Sequence, residues 1–251
     1  MSIWIDLNAD LGEGMPADAE MLTIVSSASV ACGGHAGDAS TMRATLLAAR
    51  DHGVTVGAHP GFADKASFGR TRLDLPIAEI CEQVRTQLND LLEIAAQVGV
   101  RIAYLKLHGA LANMAAEDAA LSLALFECAM HIDSSMAILA LDNSAQVSAA
   151  EALGMTVIRE AYADRRYTRG GLLVPRSQPN AVLTNPEDAV TQVVRLAKLG
   201  EIVAEDGTVL RSAARSVCVH GDTPGAVELA RRVRAALQAE GITIASAIQT
   251  G

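Results

Sequence analysis

Four short apolar runs in this chain each end in a histidine beside glycine: Ser29 to His35, Val54 to His59, Ile102 to His108 and Ser216 to His220. The chain has six histidines, so most of them stand at one kind of place. Imidazole exchanges protons near neutral pH and also ligates metals. Carboxylates accompany it. Asp6, Asn8 and Asp10 alternate along one run, so in a strand they share a face. Glu13 comes next, after a glycine. An acid row at a strand end suits a metal or a general base better than the alternative, a turn that caps the next element. Asp38, three residues after His35, reads as the cap of the next helix.

Lys106 stands two residues before His108 and therefore on the same face. Only three lysines occur, Lys65, Lys106 and Lys198, so one inside an apolar strand is conspicuous. Buried there it must be paired, neutral or ligand-bound, unless it snorkels to a rim. Arg70, Arg165 and Arg176 are candidates to hold a carboxylate or phosphate through paired donors, although surface ion pairs explain an isolated arginine as well. Asp164 precedes Arg165. His220 and Asp222 stand where a helix begins, an end that favours anions. His52 and His131 lie in helix patterns and are set aside.

The elements that must position these groups repeat one phrase: helix, glycine, strand. It appears at Gly53, Gly99, Gly154 and Gly241, each followed by a β-branched run. Glycine just past a helix end takes the left-handed cap conformation, so the phrase reads as the αβ turn of a βα repeat. Strands are predicted near 3–8, 29–32, 54–58, 102–107, 136–141, 156–160, 216–219 and 243–246. A stripe from Ile77 through Val98 marks an amphipathic helix opened by Pro76 and closed by Gly99. Thr223-Pro224 opens the last long helix. Seven or eight βα units predict an α/β fold, a TIM-like (β/α) barrel, regular or distorted, as one domain over 1–251. A doubly wound open sheet is the alternative. Only a barrel brings so many strand ends to one mouth. The stretch 165–185 breaks the rhythm and reads as a long loop or small hairpin over that mouth.

Several classes are disfavoured. A net charge of −9 argues against nucleic acid and anionic membranes as partners. No apolar run reaches the roughly 20 residues that span a bilayer, and no signal peptide is read at the start. Four scattered cysteines without a CxxC pair read as core thiols of a cytoplasmic protein. There is no GxxxxGK[ST], GxSxG, HExxH or GxGxxG motif.

Taken in order, DLNADLGE at 6–13, ACGGHAGD at 31–38, GAHPGF at 57–62, FGR at 68–70, KLHGAL at 106–111, ADRRY at 163–167, LVPR at 173–176 and VHGDTPGA at 219–226 resemble the LamB/YcsF family over nearly the whole chain. The resemblance implies a barrel of the glycoside hydrolase/deacetylase type. It implies cleavage of the lactam 5-oxoproline to L-glutamate, driven by ATP carried with Mg2+, together with partner subunits B and C. Asp10 or Glu13 is then expected as base for water, and His59 or His108 as donor to the leaving nitrogen. Lys106 with Arg165 or Arg176 is expected to hold the substrate carboxylate or phosphate. Asn8, His35, Arg70, Asp164, His220 and Asp222 are further expected contacts. Related deacetylases use an Asp-His-His metal set, which Asp10, His35 and His59 can supply. The chain departs from the family pattern at Ser29 (usually Asn), Gly34 (Phe), Thr71 (Arg) and Ala112 (Tyr), positions expected to line the pocket. A metal-dependent deacetylase or amidohydrolase acting alone, and a non-catalytic substrate-binding protein, are the competing readings.

Overall fold

The computed structural model describes residues 3–221 and 225–248. Its strands are β1 (Trp4–Leu11), β2 (Ser27–Ala31), β3 (Thr55–His59), β4 (Ile102–Leu105), β5 (Ala137–Leu141), β6 (Val157–Tyr162), β7 (Glu201–Val203), β8 (Val209–Arg211), β9 (Ser216–Cys218) and β10 (Thr243–Ile244). Its helices are α1 (Asp18–Met21), α2 (Ala39–Asp51), α3 (Ile77–Val98), α4 (Gly109–Glu117), α5 (Ala119–Ile132), α6 (Ala145–Ala152), α7 (Pro186–Leu199) and α8 (Ala226–Ala239). Thr223, Pro224 and Asp222, read from the sequence as a helix start and a site residue, lie outside the described residues.

Strands β1 to β6 and β9 pair in parallel, and β9 returns to β1 with Asp6 opposite Ser216 and Asn8 opposite Cys218. That last pairing closes the sheet, so the architecture is a TIM-like barrel and not the open alternative. The closed barrel has seven strands among the described residues. The eighth unit is reduced to β10, which pairs only with Trp4 and Ile5 at the start of β1. This is the distortion that a count of seven or eight units leaves open.

The predicted helix ends are where the sequence puts them. Gly53, Gly99, Gly154 and Gly241 have φ of 66°, 67°, 70° and 71°, conformations that a side chain at Cβ disfavours. Asp38 caps α2 by accepting from the backbone of Ser40 and Thr41, and Thr41 answers through its hydroxyl as a capping box. In α3 the stripe Ile80, Val84, Leu88, Leu91 and Ala95 is buried, whereas Ile77 is exposed and Pro76 precedes the first turn. The segment 165–185 forms two antiparallel bridges, Arg165 with Val182 and Tyr167 with Leu173, as a small hairpin. The antiparallel β7–β8 pair after α7 is an addition to the predicted strands.

The barrel interior is polar where barrels of this kind are usually packed with branched aliphatic side chains. Asp6 accepts bonds from Ser26, Ser27 and Ser216. Asn8 donates to Ser216 Oγ at 2.8 Å and to Glu160 Oε1 at 3.0 Å. Bonds from β1 to β6, which are not neighbours in the sheet, cross the interior. Every polar group placed there needs a partner, and these bonds supply them.

Candidate active site

The chemistry-bearing residues follow the carboxyl ends of the strands. Strand β1 runs three residues further than predicted and carries Asp10 to the mouth, with Glu13 just beyond. His59 ends β3. Past the end of β4 the backbone keeps pairing with the β3 side, Lys106 N to Ala58 O and His108 N to Pro60 O, both at 2.9 Å. The strand alternation therefore persists, and Lys106 and His108 face the same way. His35 comes from the glycine-rich loop after β2, Asp164 and Arg165 follow β6, and His220 follows β9.

Lys106 lies beneath the mouth and is 2 % exposed. Its Nζ donates to Asp10 Oδ1 at 2.8 Å and pairs with Glu160 Oε1 at 2.8 Å. Asn8 Oδ1 and Cys218 Sγ stand at 3.4 and 3.2 Å, and the Tyr162 ring at 5.1 Å. Burial works against the ammonium, but the carboxylates of Asp10 and Glu160 outweigh it and hold Lys106 well above its ordinary value. Burial also works against the Asp10 carboxylate, and the Lys106 ammonium more than offsets it, so Asp10 stays ionised. Glu160 is pushed up by burial despite Lys106. One cation thus serves two carboxylates at equal distance. Lys106 is committed to these acids and does not line the mouth cavity, so it positions Asp10 where the sequence suggested a direct substrate contact. Asn8 is likewise buried below the cavity and holds Glu160 and Ser216.

Three histidines meet above this network. His59 Nδ1 faces Lys106 O at 2.9 Å, and His108 Nε2 faces Phe68 O at 2.9 Å. A carbonyl only accepts, so each of these nitrogens carries the proton. The other two nitrogens, His59 Nε2 and His108 Nδ1, face each other at 2.9 Å. The His35 ring stacks on His108 with centroids 3.5 Å apart and planes 3° from parallel. Its Nε2 is 3.2 Å from Glu13 Oε1, which lies 3.7 Å from His108 Nδ1. Burial pushes all three histidines down to about 3, so they are neutral imidazoles at physiological pH. Glu13, His35, His59 and His108 offer donor atoms that all lie within 4.8 Å of one another. Two neutral imidazole nitrogens and a carboxylate suit a divalent transition metal. Asp10 touches the group through His59 Nε2 at 3.5 Å.

A cavity of about 480 Å³ opens over these groups, within the size range of small-molecule sites. Asp10, His59, His108, Tyr162 and His220 line it, with Arg70, Arg165 and Arg176. Arg165 is buried, and its guanidinium donates to Val174 O at 2.6 Å and Ala181 O at 3.4 Å, which fixes it against the hairpin. Arg176 is exposed. Arg70 stacks its guanidinium over Phe68. His220 Nδ1 bonds to Asp164 Oδ1 at 2.7 Å, and its ring stacks on Tyr162. Asp164 therefore orients His220 and does not line the cavity. Glu13 and His35 stand behind His108, also outside the lining.

Of the departures from the family pattern, Ala112 lines the cavity. Ser29 does not; it sits 3.4 Å from the Tyr104 hydroxyl deeper in the barrel. At Gly34 a Cβ would fall 2.2 Å from Gln87 Oε1, so Gln87 fills the space a larger residue would take. Asp142, grouped with the arginines in the sequence, accepts from Ser212, Ala213 and Arg159 and serves as a structural tie. Sequence reasoning missed Glu160, Tyr162 and Cys218. An acid inside an apolar run, with a tyrosine two residues on, is the signal that marks Glu160, as a lone lysine marks Lys106.

The profile of the LamB/YcsF family matches residues 5–250. A protein of Streptomyces avermitilis, named as the A component of 5-oxoprolinase, is 45 % identical over 247 residues, 96 % of this chain and 99 % of that one. The crystal structure of a lactam utilization protein from Thermus thermophilus superposes with a TM-score of 0.89 at 35 % identity, covering 96 % and 99 % of the two chains. A T48 deacetylase solved with substrate shares the fold alone, with a TM-score of 0.52 at 13 % identity over 97 % of this chain and 87 % of that one.

Proposed function

The chain belongs to the LamB/YcsF family, and from that premise we propose that it is the barrel component of an ATP-dependent 5-oxoprolinase, working with partner subunits B and C. The observation that carries this reading is one cavity joining two kinds of group. Arg165 and Arg176 suit a small carboxylate, and Asp10, His59, His108 and His220 suit proton handling at an amide.

An unstrained five-membered lactam resists hydrolysis and recloses readily. Transfer of the ATP γ-phosphoryl group to the amide oxygen makes the ring carbon electrophilic. Water adds to that carbon, the carbon–nitrogen bond breaks, and the nitrogen leaves as the amine with a proton. The acyl phosphate left behind takes a second water and gives glutamate and phosphate. In this chain the inward nitrogens of His59 and His108 carry lone pairs that face each other. Their N–H groups are already given to carbonyls, so neither is the donor to the leaving nitrogen. His220 gives its Nδ1–H to Asp164, so its Nε2 takes the proton from the attacking water and passes it to the leaving nitrogen. Asp10, held ionised by Lys106, keeps negative charge beside His59 at the mouth. ATP binds at a surface shared with a partner protein or on the partner itself.

The test is release of ADP and glutamate that depends on 5-oxoproline, with the chain alone, with its partners, and with the partners lacking it. Glutamate formed only in the full mixture is the expected result. Glutamate formed by the partners without the barrel, or none from the full mixture, would remove the proposal. The histidine–glutamate cluster favours a second reading, a metal-dependent amidohydrolase acting alone, which hydrolysis of acetyl or amide substrates without ATP would support.

A further inference from the structure

We propose that His59 Nε2, His108 Nδ1 and the Glu13 carboxylate form a binding site for one divalent transition-metal ion of the zinc, manganese or cobalt class. Three independent features converge on it.

The first is the facing pair of nitrogens. Lys106 O and Phe68 O each take a proton from the far side of one ring. Neutral imidazole has one proton, so both near nitrogens present lone pairs 2.9 Å apart. Two acceptors do not hold each other at that distance. A cation between or beside them does, and two ligands at right angles, each about 2.1 Å from an ion, stand about 3.0 Å apart. The two ring planes stand at 90° to each other.

The second is the carboxylate. Glu13 Oε1 lies 3.7 Å from His108 Nδ1 and brings negative charge to the same spot. Its side chain is only 3 % exposed. His35 bonds it at 3.2 Å and stacks flat on His108. Stacked parallel rings do not share one ion well, so His35 is a positioning residue that holds Glu13. Such outer partners orient ligands in metal sites generally.

The third is the way the loops are built around the rings. A Cβ on Gly69 would lie 2.8 Å from His35 Cβ and 3.1 Å from His108 Cδ2, and one on Gly61 would lie 3.0 Å from His108 Cβ. Backbone without side chains presses the histidines together from two sides.

The donor set also selects the ion. Imidazole nitrogen suits zinc and its neighbours, whereas Mg2+ keeps oxygen ligands. Mg2+ carried with ATP is thus a separate ion. Because His59 and His108 line the cavity while Glu13 lies behind, an ion here has protein on one side and the substrate space on the other.

The experiment uses the full chain, stripped with a chelator and titrated with Co2+ and with Zn2+. Binding is read by calorimetry, by the visible bands of Co2+, and by metal analysis after gel filtration. One ion per chain is expected. Affinity should fall at least tenfold in Glu13→Gln and in His108→Gln and stay unchanged in His131→Gln, whose residue is exposed on α5. The wild-type titration needs no variant to fold. Absence of stoichiometric binding to the wild type would overturn the proposal, and would point to a shared proton between the nitrogens. Unchanged binding in His108→Gln would also overturn it. A loaded barrel whose assembly with its partners turns over no 5-oxoproline would support the site and count only against the function proposed above.

Discussion

The ammonium of Lys106 and the carboxylate of Glu160 meet at 2.8 Å inside the barrel, from strands separated by β5. Both side chains are almost fully buried. Asp10 completes the group on the other side of the ammonium. The cation therefore ties the floor of the mouth to the wall of the barrel and keeps Asp10 charged under His59. A role as substrate clamp, which the sequence suggested for Lys106, would spare the fold when removed. The ion pairs imply the opposite.

Lys106→Met leaves Asp10 and Glu160 buried and uncompensated. Removing one partner of a buried pair costs about 3–5 kcal/mol. The variant should unfold at distinctly lower urea and lose turnover. Glu160→Gln in the Lys106→Met background should recover part of the stability, because one stranded charge is gone. Equal urea midpoints for Lys106→Met and the wild type would show that the pairs are not what holds this region.

What could be read from the sequence was local. Alternation placed Asp6, Asn8 and Asp10 on one face, and β1 stays extended long enough for that to hold. Glycine at four helix ends and Asp38 before α2 are signals carried within a few residues. What could not be read depends on closure. Lys106 is 96 residues from Asp10, and the bond between them exists because the barrel brings β1 opposite the end of β4. Glu160 closes the predicted sixth strand, and its inward direction follows only from the register with β5 and β9. The same holds for His220, whose partner Asp164 is 56 residues away. Residue type alone does not show that cross-barrel partners take the donor and acceptor sites of Asn8.

Ala112 lines the mouth cavity, and the resemblance drawn from the sequence expects tyrosine there. Ala112→Tyr should fill part of that space. The expected result is tighter binding of 5-oxoproline and loss of binding for larger lactams, both measured by calorimetry on the barrel. Identical affinities for small and large lactams before and after the change would show that this wall does not meet the ligand.

The buried thiols should be inert. Burial pushes the Cys32 thiol up to about 12, and burial beside Asp10 holds Cys218 well above its ordinary value. A raised value keeps the proton on sulfur, so at pH 8 only about one Cys32 in ten thousand is the reactive thiolate. Raising the pH toward 10 should leave both unlabelled. Iodoacetamide on the folded protein should mark only the partly exposed Cys81 and Cys128, as read by peptide mass spectrometry. Modification of Cys32 in the folded state would contradict its burial against His59.

Gly61 and Gly69 allow a test of how closely the histidines must be held. Gly69 has φ of 63° and a virtual Cβ 2.8 Å from His35 Cβ, so alanine there is strained by backbone and by contact together. Gly61 has no such backbone demand. The atoms nearest to a Cβ there are His108 Cβ at 3.0 Å, His108 Cδ2 at 3.3 Å and His35 Nδ1 at 3.4 Å. Gly61→Ala should therefore cost about 1–3 kcal/mol, the usual range for overpacking, and leave the protein folded. The methyl group must push His108, and His108 is fixed on its far side by Phe68 O. The displacement then falls on the 2.9 Å approach to His59. Metal affinity should drop about tenfold or more and turnover with it, while melting shows a modest loss. Gly69→Ala should lose stability and function together. Gly61→Ala with unchanged metal affinity would mean that the two nitrogens tolerate separation, and that their closeness is packing and not a requirement of the site.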